Sequence, residues 1–254
     1  MASLTDSPLL VFAASFVTLW LSTRLGAWIR RHRELNENEH EDLNVIAGAV
    51  LTLLGLIIGF SFSMAISRYD QRKQYEEEEA NAIGTEYLRV GLLPSASAAK
   101  ARDLLRAYLQ QRILFYTTRD GRQLEQIAGA TSQLQADMWA AVEAPATVQP
   151  VPTFALAAGG MNDVINSQGY TLAAWRNHIP SAGWGLMIVI AICSNVLVGY
   201  NARQSHARIK SFFVLPLILS VSFLLIADID SPRGGLIRVH PVNLLGAIPQ
   251  ISTH

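Results

Sequence analysis

Four long apolar stretches set the strongest limit on how this chain can fold. A helix needs roughly 20 mostly apolar residues to cross a hydrocarbon core about 30 Å thick. The stretches that approach this length are 9–28, 45–66, 184–200 and 211–229. No Lys or Arg precedes Arg24, so the first stretch reads as a retained span rather than as a signal peptide. The sequence therefore predicts an all-α membrane protein whose four transmembrane helices contact the lipid bilayer.

Composition and charge support this class and exclude others. Half of the residues are hydrophobic, 16% are charged and the mean hydropathy is +0.25, which is too apolar for an ordinary soluble domain. The net charge is zero, so nothing indicates a nucleic-acid partner. Cys193 is the only cysteine, which excludes a disulfide framework and a CxxC metal site. No catalytic motif is present, so we expect neither an enzyme nor a cofactor.

The segment between the second and third spans reads as a helical bundle. Apolar residues recur there at steps of three and four, and no run alternates with the period of a strand. Gly91 and Pro94 are expected to end the helix that leaves the second span, and "APATVQPVP", residues 144–152, to separate two later helices. The chain then divides into 1–66 with transmembrane helices 1 and 2, 67–183 with the extramembrane bundle, 184–229 with transmembrane helices 3 and 4, and 230–254 as a C-terminal tail.

One helix is expected to run from the second span into this bundle. Residues 45–83 contain no proline and would form a rod roughly 60 Å long, twice the thickness of the bilayer core. Small residues share one face of the span at steps of three and four: Gly48, Thr52, Gly55, Gly59 and Ser63. Such a seam is typical of close helix packing, or it faces a pore shared by several subunits. In the second interpretation Phe60 or Phe62 forms an apolar constriction.

Charged residues follow the second span at once. Arg68, Asp70, Arg72 and Glu76 are candidates for the charge at a pore mouth. Residues 76–79 are all glutamates and cannot share one face of a helix, so at most one or two reach such a mouth and the others are expected on a solvated surface. Acidic side chains at the axis would favour cations, whereas arginines would favour anions. The sequence leaves this choice open.

Other polar residues carry weaker indications. His32 and His40 lie near Glu41 and Asp42, but no second pair occurs at ligand spacing, so we expect no metal site. Asn195 falls inside the third span. Its amide is expected to find a partner across a helix interface, because hydrocarbon offers none.

Three parts of the chain carry a family resemblance. The first is "LLGLIIGFSFSMAISRYDQRK", residues 53–73, continued by "EANAIGTEYLR", residues 79–89. The others are "AWRNHIPSAGW", residues 174–184, and "DIDSPRGGLIRV", residues 228–239. Together they resemble the bacterial bestrophin-like membrane family and, more distantly, the bestrophin channels. As in that family, Arg68 and a tyrosine–aspartate pair directly follow a glycine-rich apolar helix.

The resemblance implies an all-helical, pentameric ion channel whose axial pore is lined by the second helix. It also implies identical subunits in a bacterial inner membrane, small inorganic ions as the transported species and a bundle on the cytoplasmic side. The arginine-rich short loops, 29–44 and 201–210, argue for the opposite orientation. We follow the family, because the count of basic residues on the two sides is tied.

The segment after the last span departs from the family pattern. Bestrophins with calcium control carry a run of acids there, whereas in this chain Pro232 and Arg233 follow Asp228 and Asp230. Two carboxylates are too few for the six to eight oxygens that calcium prefers. We therefore expect an interfacial ion pair or a helix cap at these residues.

A homo-oligomeric, pentameric ion channel is the function that these features favour. Phe62 is the predicted constriction because it lies beside the small-residue seam and near Ile66, whereas Phe60 is expected to pack between subunits. Thr52, Gly55, Gly59 and Ser63 would line the pore or pack closely. The alternative is a noncatalytic membrane scaffold or sensor whose bundle binds a partner.

Overall fold

The computed structural model describes residues 7–31, 37–148, 151–202 and 207–252. These residues form α1 (Pro8–Arg31), α2 (Glu37–Arg89), α3 (Ser95–Thr117), α4 (Gly121–Val148), α5 (Pro152–Arg176), α6 (Ser181–Asn201), α7 (Ala207–Asp230) and α8 (Val242–Ser252). A short 3₁₀ turn, Val90–Leu92, follows α2. No strand occurs in the described ranges, which confirms the predicted all-α class.

The four predicted spans are helical and fall on α1, α2, α6 and α7. Within the described ranges, four helical stretches are long and apolar enough to cross a membrane, and each overlaps one of these spans. The chain is therefore a multi-pass membrane protein. The helix of the second span continues without a break for 53 residues, as the absence of proline predicts.

Several helix boundaries lie at or near a proline or a glycine. α2 ends at Arg89, just before Gly91 and Pro94, as predicted. Pro94 precedes α3 with an extended backbone. Pro152 is the first residue of α5, where its missing N–H costs no helical hydrogen bond.

The break predicted at residues 144–152 begins later than expected. α4 continues through Pro145 to Val148. Proline removes only one backbone hydrogen bond, and near the end of a long helix this loss does not stop the helix at once.

The chain divides into two compact units. The membrane unit comprises Met1–Tyr69 and His178–Arg238, and the bundle unit comprises Asp70–Asn177 and Val239–His254. α2 contributes residues to both.

Helix α1 of the membrane unit packs against α6 and α7. A Cβ added at Gly26 would overlap the carbonyl oxygen of Val196, and one added at Gly199 would overlap that of Thr23. The backbones of α1 and α6 therefore touch, as the absence of a side chain at both glycines allows. The apolar core beside them includes Leu19, Leu54, Met187, Phe223 and Ile226.

Asn195 finds its partners at this same interface. Its Oδ1 accepts a hydrogen bond from Thr23 Oγ1 of α1 at 3.1 Å, and its Nδ2 donates to Ala191 O at 2.8 Å. This confirms the expectation that the amide pairs across a helix interface.

In the bundle unit α3 packs against α4, α4 against α5, and α8 against α3. Its fully buried side chains include Ile83, Tyr87, Leu105, Tyr108, Met138 and Met161. The sequence analysis left residues 230–254 as a tail and did not predict α8. Leu244 and Ala247 of α8 are buried, whereas Val242 and Leu245 are exposed. This helix has 11 residues, and a helix so short is marginal in water without such packing.

Candidate pore-lining face of helix α2

Helix α2 has one face that is buried within its own chain. The buried positions recur mainly at steps of three, four and seven, and those with at most 5% exposure are Leu54, Ser61, Ala65, Arg72, Glu76, Glu79, Ala80, Ile83, Glu86 and Tyr87. Residues at these spacings form a single stripe. The opposite face contains the predicted small-residue seam, whose residues are exposed within the described part of the chain.

The seam leaves open space beside it. A Cβ added at Gly48, Gly55 or Gly59 would meet no atom within 4 Å. Thr52 is exposed, and its Oγ1 only bonds back to Gly48 O at 2.9 Å. Gly26 and Gly199, by contrast, contact a neighbouring backbone. Gly48, Gly55 and Gly59 therefore pack against no helix of their own chain within the described ranges.

Both candidate constriction residues lie outside the core. Phe60 is 61% exposed and Phe62 is 36% exposed, with Ile66 at 38%. Ser63 is exposed as well. Phe60 and Phe62 flank the seam on opposite sides, because two residues turn a helix by about 200°.

The two arginines proposed for the pore mouth turn inward. The side chain of Arg68 is 16% exposed, and its Nη1 lies 3.6 Å from Asp230 Oδ1. Arg72 is 1% exposed, and its Nε donates to Ala174 O at 3.4 Å. Arg72 is therefore removed from the candidate pore mouth, because a side chain enclosed by its own chain cannot line an opening.

Glu76 is also buried, at 1% exposure. Its Oε1 accepts hydrogen bonds from the backbone N–H groups of Asn243 and Leu244, both at 2.9 Å, and its Oε2 accepts one from Asn243 Nδ2 at 2.6 Å. A carboxylate at these N–H groups stabilises the start of a helix through its unpaired donors and its dipole. Glu76 therefore caps α8, and of the four proposed mouth residues Asp70 is the one that stays exposed.

Glu79 carries an interaction that the sequence analysis missed. Its carboxylate pairs with the guanidinium of Arg112, and it accepts hydrogen bonds from Tyr116 Oη at 3.4 Å and Thr171 Oγ1 at 3.2 Å. Burial disfavours the charged form of Arg112, but the Glu79 carboxylate, together with Tyr108 and Tyr116, raises the pKa of Arg112 above its ordinary value. Burial and then the same carboxylate raise the pKa of Tyr116.

The glutamate run thus splits between two environments. Glu77 and Glu78 are exposed, as predicted, whereas the expectation of a solvated surface is wrong for Glu79. A signal for this was present, because Glu76 lies four residues before Ala80 and Glu79 lies four residues before Ile83 on the apolar stripe.

The two acids in the last turn of α7 bind backbone and side-chain donors. Asp228 accepts hydrogen bonds from Leu236 N at 2.7 Å and Ile237 N at 2.8 Å. Asp230 accepts one from Ile179 N at 2.9 Å besides its ion pair with Arg68. The ion pair of Asp230 agrees with one of the two expectations. The helix cap is not observed, because Ile179, Leu236 and Ile237 lie outside the helices.

Metal ligation finds no support in the part of the chain that the structure describes. No group of three His, Cys, Asp or Glu residues there could hold a metal ion. His32 and the side chain of His40 lie outside the described residues.

Comparison with known proteins identifies the family. The model of the Bestrophin-like domain matches residues 9–244. No curated protein gives a significant match.

Solved structures with the same fold come from a bacterial bestrophin homolog of Klebsiella pneumoniae. A structure of that protein phased with zinc has a TM-score of 0.62 and 13% identity, and the match covers 97% of this chain and 99% of that chain. The structure of a point mutant of that protein has a TM-score of 0.64 and 11% identity, and the match covers 93% of this chain and 96% of that chain. At this identity the likeness shows the fold alone. With the family model extending over nearly the whole chain, the chain belongs to the bestrophin-like family.

Proposed function

We propose that the chain is the subunit of a homopentameric ion channel in a bacterial inner membrane, with α2 lining an axial pore. One observation carries the proposal: the face of α2 that bears Thr52, Gly55, Gly59 and Ser63 is exposed, and no described residue of the chain fills the space beside its glycines. A ring of identical subunits is the usual closed form of a head-to-tail assembly. The family supports a channel-type role, and a continuous α2 would line an axis without exposing unpaired backbone groups to lipid.

The proposed constriction is an apolar ring of Phe62. Its side chain borders the open space beside Gly55 and Gly59, and Ile66 follows one turn later. A ring of apolar side chains closes a narrow pore to water and ions by dewetting. Phe60, on the other side of the seam, would pack against the neighbouring subunit.

The proposed pore selects cations. Between residues 67 and 85, the charged side chains that α2 exposes are Asp70, Lys73, Glu77 and Glu78, three acids and one base, so each subunit contributes a net charge of −2. Asp70 and Glu77 lie seven and fourteen residues after Ser63, which places them on one stripe of the helix. Rings of carboxylates at a mouth attract cations and repel anions.

Assembly and pore position are tested by cross-linking. In a Cys193→Ser background, Ser63→Cys should form disulfides between subunits, since an axial position repeats at short distance around a ring. Ser222→Cys on α7, which is partly exposed, is the control and should form no disulfides between subunits. Mass photometry of the purified protein should give five subunits. A monomer or dimer, or equal cross-linking at the two positions, contradicts the proposal.

Conduction and selectivity are tested in planar bilayers under a KCl gradient. The reversal potential should lie toward that of potassium, and Asp70→Asn combined with Glu77→Gln should move it toward zero. Glu125→Gln, an exposed acid of α4, should leave it unchanged. A reversal potential at the chloride side overturns the cation proposal, and the absence of any current favours the scaffold or sensor.

A further inference from the structure

We propose that Glu86 is a proton-binding site of the bundle unit, and that loss of its proton draws Arg89 away from Asp163 to pair with Glu86. The proposal does not depend on the pore. It rests on three residues of the bundle unit and on the glycine that makes room for them.

Glu86 is a buried carboxyl group without partners. Its exposure is 0%, and neither of its oxygens has a hydrogen-bond partner in the described part of the chain. Glu76 and Glu79 on the same stripe of α2 are equally buried, but each accepts several hydrogen bonds. Burial of a charged carboxylate without partners is far more costly than burial of the neutral acid. Glu86 is therefore the acid of this stripe that favours its protonated form.

Gly160 of α5 makes the space that Glu86 occupies. A Cβ added at Gly160 would overlap Glu86 Oε2 and would lie 2.8 Å from Arg89 Nη1. The neighbouring Gly159 has nothing within 4 Å of such a Cβ. The Glu86 carboxyl and the Arg89 guanidinium thus lie side by side over the backbone of α5.

Two charged groups face the Glu86 carboxyl. Arg89 follows on the same helix, and Asp163 lies on α5 one turn after Gly160. Burial raises the pKa of Glu86 to about 8, although Arg89 lowers it, and Asp163 adds to the increase. From α3, Arg102 and Arg106 face the ring of Tyr87 beside it, each 5.4 Å from the ring centroid.

Arg89 has a weak partner while Glu86 is protonated. Its Nη1 lies 3.8 Å from Asp163 Oδ2, and the two side chains are 38% and 67% exposed. An exposed pair at this distance contributes little to stability. When Glu86 ionises, a buried carboxylate needs a cation, and Arg89 is the nearest one. Arg89 is the last residue of α2, so its exchange of partners would act on the turn that joins α2 to α3.

The sign of the pH dependence follows from these groups. An unfolded glutamate has a pKa near 4.5, and the folded value is about 8. Between these values the folded state holds a proton that the unfolded state has lost, so this carboxyl lowers stability as pH rises through the interval. Below the interval both states are protonated, and above it both are ionised. The effect is therefore confined to that window.

Infrared difference spectroscopy of the full chain in lipid nanodiscs tests the proposal directly. A step in pH across about 8 should remove the carbonyl band of one protonated buried acid. Glu86→Gln should abolish this band, and Glu125→Gln should retain it. Asp163→Asn should move the midpoint to lower pH, because it removes a charge that favours the neutral acid, and Arg89→Gln should move it to higher pH.

Three results would overturn the proposal. They are the absence of a titrating buried-acid band in the native chain, a band that survives Glu86→Gln, and a midpoint that is the same in Asp163→Asn and Arg89→Gln. The last comparison keeps Glu86 intact, so it remains decisive even if Glu86→Gln does not fold. A merely structural role of Glu86 would not shift the midpoint in opposite directions in these two variants.

Discussion

Glu79 of α2 and Arg112 of α3 form an ion pair whose side chains are 0% and 1% exposed. The two residues are 33 positions apart in the sequence, and Tyr116 and Thr171 donate to the same carboxylate. The enclosed Glu79 carboxylate thus receives donors from α3 and α5. The pair is a structural feature of the bundle unit and is separate from the exposed face of α2.

Breaking this pair from one side should destabilise the protein strongly. Glu79→Gln leaves the guanidinium of Arg112 buried without a counter-charge, which typically costs about 3–5 kcal/mol. Glu77→Gln, the exposed neighbour, should change stability by less than about 0.5 kcal/mol. The apparent melting temperature in detergent measures the stability of both variants. Equal melting temperatures for the two variants would show that the pair does not stabilise the fold.

Removing the charge of Glu76 should loosen α8. Glu76→Gln keeps one acceptor for Asn243 N and Leu244 N but loses the carboxylate at the start of the helix, a change worth about 1–2 kcal/mol. Hydrogen exchange of the amides in 242–252 should become faster, with little change in α4. Unchanged exchange in α8 would mean that the packing of Leu244 against the bundle holds the helix without the cap.

Two glycine substitutions separate packing from an open face. Gly199→Ala should cost about 1–3 kcal/mol, because its Cβ would overlap the backbone of α1 and cannot rotate away. Gly55→Ala should be tolerated and should leave the oligomer intact, because the space beside it is open. Size-exclusion chromatography with melting curves would check both. Dissociation of the oligomer in Gly55→Ala would favour close packing of the seam against a neighbouring subunit.

Shortening the two phenylalanines should have different effects. Phe62→Ala should raise ion flux into liposomes, because an apolar constriction loses its barrier when its side chains are cut back. Phe60→Ala should weaken assembly by about 3–5 kcal/mol if its ring is fully enclosed between subunits. An increase in flux in Phe60→Ala with none in Phe62→Ala would reverse the proposed facing of α2.

The sequence by itself determined the features that depend on neighbouring residues. Long apolar runs specify spans because a helix must satisfy its own backbone in lipid, and the continuity of α2 follows from the absence of proline between its two parts. The sequence also predicted the apolar stripe through Ile83 and Tyr87, because residues three and four positions apart lie on one face of a helix.

The tertiary structure alone decided the environment of each charge on α2. Arg68 pairs with Asp230, and Glu79 pairs with Arg112. Glu76 accepts hydrogen bonds from the start of a helix that begins 166 residues later. The helical stripe through Ala80 and Ile83 indicates that Glu76 and Glu79 face inward. It does not identify the donors that these carboxylates bind, because those donors lie far away in the sequence. The sequence did not predict α8 for the same reason. A helix of 11 residues is stable only when it packs against another surface, and the tertiary structure supplies that surface.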